Sequence, residues 1–201
     1  MEAPSSTGGV GYDAQLVRKA VAGKSGAFDE LVERYQRRAT AVAYRLLGNL
    51  HDSLEVCQDA FVRAYRNIDT LEDPERFGPW LLRIVTNLSL NYRRARKSGA
   101  RKISLEDCII GDEGSTTTLA GDSPASEDRP GARLAAAELS AKMQAAISEL
   151  PEQQQLALVL FSIENMPQKD VASIMGVSVE AVKWHVFQAR KKLKERLADY
   201  L

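Results

Sequence analysis

The stretch PQKDVASIMGVSVEAVKWHVFQARKKLKERL, residues 167–197, decides how this chain is to be read. Val171, Ala172, Ile174 and Met175 mark an apolar stripe on a short helix, and Pro167 at its opening suits a first helical turn. Gly176 follows the stripe, where a left-handed C-cap residue is wanted. Ser178 is a good N-cap for a second helix, with Glu180 in its first turn. On that second helix Val182, Val186, Ala189, Leu193 and Leu197 recur at three- and four-residue spacing and form one buried stripe. Lys183, Trp184, Phe187, Gln188, Lys191 and Lys194 then fall on the opposite side. Two helices crossing at a tight turn, the second turning large aromatics outward among lysines, make a helix-turn-helix whose outer face suits DNA. Single exposed apolar residues are ordinary, but two neighbouring aromatics inside a basic stripe are not accounted for that way.

Moving toward the N-terminus, helical periodicity continues. Pro151 opens a helix carrying Leu156, Val159, Leu160 and Ile163, and Leu134, Leu139, Met143, Ile147 and Leu150 form the stripe before it. Residues 98–131 are rich in Gly, Ser, Thr, Pro and acid, a composition that cannot bury enough to order itself. Upstream, Phe28, Leu31, Val32, Tyr35, Ala39, Val42, Ala43 and Leu46 make one long stripe ending at Gly48 and Asn49. Leu54, Cys57, Phe61, Ala64, Tyr65 and Ile68 make a second. A third helix, beginning near Pro79, buries Leu81, Ile84, Val85, Leu88 and Tyr92. No segment alternates as a strand would. The reading is therefore all-α: a disordered tail over 1–11, a helical domain over 12–97, an acidic flexible linker over 98–131, and a second helical domain over 132–201. At roughly 3.3 Å per residue, a linker of about 34 residues reaches about 110 Å, enough to span sites about 25 base pairs apart, or about 85 Å.

Lys+Arg 27 against Asp+Glu 27 gives no net charge, which by itself is no signature of a nucleic-acid binder. The charge is segregated, however. Basic residues prevail over 12–97 and end in Arg93, Arg94, Arg96 and Lys97; acids prevail over 98–131; the last helix is basic again. Cys57, Cys108, His51 and His185 have no zinc-ligand spacing. No signal peptide and no apolar run of membrane-spanning length occurs, so a cytoplasmic protein is expected. With no metal cluster, no phosphate-cradling glycine loop and no nucleophile beside a histidine, no enzyme activity and no cofactor is expected.

Two further faces can be drawn on helical wheels. On the helix after Pro79, Arg83, Asn87, Asn91 and Arg94 share a polar side, and asparagine and arginine suit base edges and phosphates. Phe77 and Trp80 at its start are aromatics able to stack on unpaired bases. On the preceding helix Asp52, Glu55, Gln58 and Asp59 form an acidic side, either a solvated face or a protein-docking one.

Several blocks together resemble bacterial RNA polymerase sigma factors of the extracytoplasmic-function type. FDELVERY (28–35) resembles the start of sigma domain 2, and DSLEVCQDAFVRAYRNI (52–68) the helix that docks on the polymerase clamp. FGPWLLRIVTNLSLNYRRARK (77–97) resembles the segment that opens and reads the −10 element. LPEQQQLALVLF (150–161) and the helix-turn-helix resemble sigma domain 4, which reads the −35 element. The resemblance implies a non-enzymatic promoter-specificity subunit whose partners are core polymerase, through its clamp coiled coil and flap, promoter DNA, and an anti-sigma protein. It implies that Asp52, Glu55, Gln58 and Asp59 face the clamp. Phe77, Trp80, Arg83, Asn87, Asn91 and Arg94 would serve the −10 strand, with the loop over 71–77 capturing a flipped base. Lys183, Trp184, Phe187 and Gln188 would face −35 bases, with Arg190, Lys191 and Lys192 on phosphates. The chain departs from the pattern at Leu54, Trp184 and Gln188, the last two standing where a small residue and an arginine are usual, so a distinct −35 preference is expected. A stand-alone helix-turn-helix regulator is the alternative, weakened by the lack of a βα receiver pattern. No further domain follows the recognition helix, so control is expected from a separate protein or from expression.

Overall fold

The computed structural model describes residues 9–97 and 130–198, and every described segment of regular structure is helical. Four helices form the N-terminal group: α1 (Gly9–Val21), α2 (Ala27–Leu47), α3 (Leu50–Arg66) and α4 (Phe77–Lys97). The turn between α2 and α3 is written locally. Gly48 takes the left-handed conformation at φ 74° and returns its N–H to the Tyr44 carbonyl, and Asn49 caps α3 by accepting from the Asp52 N–H. Leu31, Ala39, Val42, Ala43 and Leu46 of α2 are buried, while Phe28, Val32 and Tyr35 of the same expected stripe are half-buried.

Two apolar stripes need correction. On α3 the buried side is Ser53, Val56, Cys57, Ala60, Phe61 and Ala64, whereas Leu54 and Tyr65 are exposed. The small residues on that side let α3 lie close to α2; Leu54 projects away from the contact, and Tyr65 lies at its margin, its ring meeting Phe28 of α2 edge-on at 5.0 Å. α4 starts at Phe77, two residues ahead of Pro79, and inserts Phe77, Leu81, Leu82 and Val85 into the core. α1 begins inside the expected tail, and its Leu16 and Val17 are buried in the core, where α1 packs chiefly on α2 and on the two 3-10 turns ahead of α4. Residues 1–8 and 98–129, holding most of the expected tail and linker, lie outside the described residues.

The C-terminal group comprises α5 (Pro130–Ser148), α6 (Glu152–Ala157), α7 (Gln168–Met175) and α8 (Val179–Arg196). α6 runs on as a π-helical turn over Leu158–Ile163, closed by the Glu164 N–H on the Val159 carbonyl at 3.0 Å. Of the stripe expected on α5, Ile147 and Leu150 are buried but Leu139 and Met143 are exposed. The α7–α8 turn has the expected caps: Gly176 is left-handed at φ 67°, and the Ser178 hydroxyl accepts from the Ala181 N–H at 3.1 Å. Val171, Ala172, Val182, Val186 and Ala189 are buried between these helices.

The two groups are packed on each other. The Gln155 side chain lies between them, its amide donating to the Arg45 carbonyl at 2.8 Å and accepting from Arg93 at 2.6 Å. Gln144 donates to the Tyr44 carbonyl at 3.1 Å. Carbonyls of the last turn of a helix have no partner within it; at the end of α2 the Arg45 carbonyl is bound from the other group, and the Tyr44 carbonyl takes Gln144 in addition to the Gly48 N–H.

Candidate nucleic-acid and polymerase interfaces

The outer face of α8 follows from its inner one. Burial of Val182, Val186 and Ala189 sets the helix roll, and Trp184 (54% exposed) and Phe187 (64%) are turned outward with Lys183, Arg190 and Lys191. Gln188 and Lys192 are half-buried at its margin. Full burial of a large apolar side chain contributes roughly 1.5–3 kcal/mol, so two exposed aromatics forgo a stabilisation that a partner surface could recover. The Trp184 ring meets His185 edge-on at 5.0 Å, and Arg190 donates to the Ser162 hydroxyl at 3.1 Å.

On α4 the structure places Arg83, Asn87, Asn91 and Arg94 on one exposed side. Phe77 does not join them. It is fully buried, edge-on to Tyr35 at 5.2 Å, and so is a core residue rather than a stacking platform. Its position is set by a close approach: a Cβ on Gly78 would stand 3.0 Å from the Tyr35 hydroxyl oxygen. Tyr35 is held by its hydroxyl donating to Asp13 at 2.7 Å, and Asp13 also accepts from Arg34 at 2.8 Å. Burial, then the hydrogen bond to Asp13, pushes the Tyr35 phenol well above its ordinary value. Asp13 and α1 carry no sign of this role in the sequence, and Tyr35 is expected there only as part of a buried stripe; the one local sign is the small Gly78 beside Phe77.

Trp80 is half-buried and, with Leu71, Asp73, Arg76 and Arg83, lines a cavity of about 590 Å³. Asp73 shapes the loop by accepting from the Glu75 N–H at 3.0 Å, so that Pro74–Arg76 form one 3-10 turn ahead of α4. The far wall comes from α7, through Lys169, Asp170, Ser173 and Ile174, and Arg76 pairs with Asp170 across the opening.

On α3, Glu55, Gln58 and Asp59 are exposed on one side. Asp52 is not on it. Its side chain is buried and accepts from Arg96 at 2.7 Å and from the Tyr92 hydroxyl, tying α3 to α4. Burial, then that bond to Asp52, raises the Tyr92 phenol. The outward Leu54, Val62 and Tyr65 flank the acidic residues instead; of these, the expected stripe had turned Leu54 and Tyr65 inward. Among the described residues no group of His, Cys, Asp and Glu could hold a metal ion, and no helix is long and apolar enough to cross a membrane.

Comparison with known proteins agrees with this layout. The Sigma-70 region 2 family model matches residues 31–99, and the Sigma-70 region 4 model matches residues 140–193. The ECF RNA polymerase sigma factor SigW of Bacillus subtilis is 30% identical over 91% of this chain and 95% of its own length. Among solved structures, CnrH in complex with the cytosolic domain of CnrY shares 28% identity, with a TM-score of 0.62 over 94% of this chain and 99% of that one. RpoE of Bartonella quintana, solved with NepR, has the same fold at 19% identity, with a TM-score of 0.60 over 87% of this chain and 98% of that one.

Proposed function

This chain belongs to the extracytoplasmic-function sigma factors of RNA polymerase, subunits that direct the polymerase to promoters, and we propose how its surfaces divide that work. Residues 12–97 form the domain that engages core polymerase and the −10 element, 98–131 are the linker, and 132–201 form the domain that engages the −35 element. Glu55, Gln58 and Asp59 meet the basic clamp coiled coil, and exposed Leu54, Val62 and Tyr65 add apolar contact beside them. Arg83, Asn87 and Asn91 read the −10 strand, and the cavity beside Trp80 receives an extruded base. Phe77 supports that cavity from the core.

Lys183, Trp184, Phe187 and Gln188 enter the −35 major groove, while Arg190, Lys191 and Lys192 neutralise phosphates. Trp184 fills space that a small residue would leave, and Gln188 favours adenine where arginine favours guanine. The single observation that carries this reading is the outward, basic-aromatic face of α8 in a chain whose other end has a second exposed Asn/Arg face. A stand-alone regulator would leave the acidic α3 face and the −10 face without a task.

The chain contributes recognition rather than catalysis, acts in the cytoplasm, and is held in check by an anti-sigma protein; the support for the last is the structure of the sigma factor RpoE of Bartonella quintana in complex with the anti-sigma factor NepR. The reading is tested by run-off transcription with core polymerase on a promoter pool. Start sites that depend on this protein are expected; their absence, together with no binding to core, overturns it. Asn87→Ala should impair −10 use by about 1–3 kcal/mol and leave −35 binding intact.

A further inference from the structure

Asp13 of α1 is an acid set inside the N-terminal group. It is buried, and its carboxylate accepts from the Tyr35 hydroxyl at 2.7 Å and from Arg34 at 2.8 Å. Well-packed apolar residues commonly serve stability as well as a buried charge does, so stability alone does not account for an acid at this place. The bond does fix where the Tyr35 ring stands, and that ring begins a row. Tyr35 meets Phe77 edge-on at 5.2 Å, and Phe77 meets Trp80 at 6.0 Å with the rings tilted by 44°. Gly78 keeps the backbone of α4 against the Tyr35 ring, since a Cβ there would stand 3.0 Å from the hydroxyl oxygen. Trp80, at the far end of the row, lines the cavity beside the loop. α1 bears on that loop as well. It packs on both 3-10 turns, Ile68–Thr70 and Pro74–Arg76, from which Thr70 and Arg76 reach the same cavity.

We propose that Asp13 is a positioning residue for capture of the −10 strand: through Tyr35 and Phe77 it holds the Trp80 ring at the tilt and depth at which an extruded base stacks. This rests on the −10 reading of Trp80 given above. Trp80 is half-buried, so one part of its ring faces the cavity while the rest is backed by Phe77. A platform free to tilt must be ordered when the base arrives, and that ordering is subtracted from the stacking it returns; a platform already held loses nothing. The two partners of Asp13 therefore have different tasks. The Tyr35 hydroxyl carries the row inward to Trp80. Arg34 leads outward, its guanidinium standing over the Tyr12 ring at 5.3 Å, and takes no part in the row.

The test begins without DNA. Trp80 and Trp184 are the two tryptophans of the chain, so in a Trp184→Phe background the fluorescence anisotropy decay reports the Trp80 ring alone. Tyr35→Phe, which removes a single oxygen atom, should speed that decay, and Asp13→Ala should do the same, with the double variant no faster than either. Asp13→Asn keeps an oxygen for the hydroxyl and should return the parent decay, and Arg34→Gln should leave it unchanged. The second readout keeps Trp184 and uses the full chain assembled with core polymerase. It measures binding of a labelled, random-sequence single-stranded decamer, with core alone as the baseline. Trp80→Ala should weaken the added binding by about 5- to 150-fold, the range for losing one stacked base, and Tyr35→Phe by a part of that, about threefold to tenfold. Arg34→Gln should bind as the parent does. A parent-like Trp80 decay in Tyr35→Phe overturns the positioning role and leaves the −10 reading standing. Decay as fast in Arg34→Gln or Asp13→Asn as in Asp13→Ala overturns it too, since the hydroxyl bond is then not the tie. A faster decay with undiminished binding in Tyr35→Phe overturns the positioning role, and equal binding by Trp80→Ala and the parent overturns the −10 reading itself. Circular dichroism verifies that each variant folds.

Discussion

Replacing Asp52 by alanine separates two roles for one acid. As a clamp contact, its removal would weaken polymerase binding and leave the isolated protein as stable as before. As a buried strut, its removal should do the reverse. The structure allows the size to be worked out. The Asp52 side chain is 11% exposed and receives the Tyr92 hydroxyl and an Arg96 N–H at 2.7 Å. Arg96 is 68% exposed, so that pair is screened and contributes about 0.2–1 kcal/mol. A hydrogen bond to a charged acceptor contributes about 1.5–3 kcal/mol, and the half-buried Tyr92 hydroxyl loses one. Destabilisation of about 2–3 kcal/mol follows, and for a chain of this size it lowers the melting midpoint by about 5–10 °C. Urea or thermal unfolding followed by circular dichroism measures it, with polymerase affinity measured below the variant's melting range. An unchanged midpoint with lost polymerase binding would refute the strut and restore Asp52 to the docking face.

Trp184→Ala should shift the −35 sequence preference at the base it touches by about 1–3 kcal/mol without changing affinity for core polymerase, measured by selection from a randomised −35 pool. Gly78→Ala places a methyl group against the Tyr35 ring and should destabilise by about 1–3 kcal/mol. Because the nearest atom is the Tyr35 hydroxyl oxygen, the loss should be smaller in a Tyr35→Phe background, a coupling that a double-mutant cycle measures. Contact between the domains should weaken in acid. Burial works against the charged form of Glu152, but the Arg93 and Arg94 hydrogen bonds outweigh it and hold the carboxyl below its ordinary value of 4.5. A depressed carboxylate contributes stability above that value and loses it as pH falls through the lower folded one, so scattering should report expansion below about pH 4.5 and none between pH 6 and 8.

What the sequence made legible was local. The α7–α8 turn rests on Gly176 and Ser178 and the α2–α3 turn on Gly48 and Asn49, each a cap whose chemistry acts within four residues. The α8 face was legible for the same reason, since three buried positions fix the roll of a helix. What was misplaced depends on which neighbour a side chain meets. Leu54 and Phe77 have equal claims to a core by hydrophobicity, but α2 approaches the small-residue side of α3 and leaves Leu54 out, while Gly78 opens room beside Tyr35 and draws Phe77 in. Asp52 looked like surface because it sits among exposed acids; its partners, Tyr92 and Arg96, are about 40 positions away and share no periodicity with it.

The cancelled charge takes on a physical sense in this arrangement. A promoter-binding chain with Lys+Arg 27 and Asp+Glu 27 has no overall attraction for DNA, and long-range steering must come from separate faces. The acids at Glu152, Glu164 and Asp170 are set against arginines of the other domain, while the α8 lysines and the Arg83, Asn87, Asn91 and Arg94 side of α4 stay outward. DNA therefore meets two separate faces rather than one evenly charged surface. The salt dependence of binding reports each face in turn, because each phosphate neutralised adds about 0.9 to the slope of log affinity against log salt on duplex DNA. Replacing Lys191 and Lys192 together by alanine should flatten that slope by about 1.8 if both meet phosphates, and an unchanged slope would refute their place on the phosphate backbone.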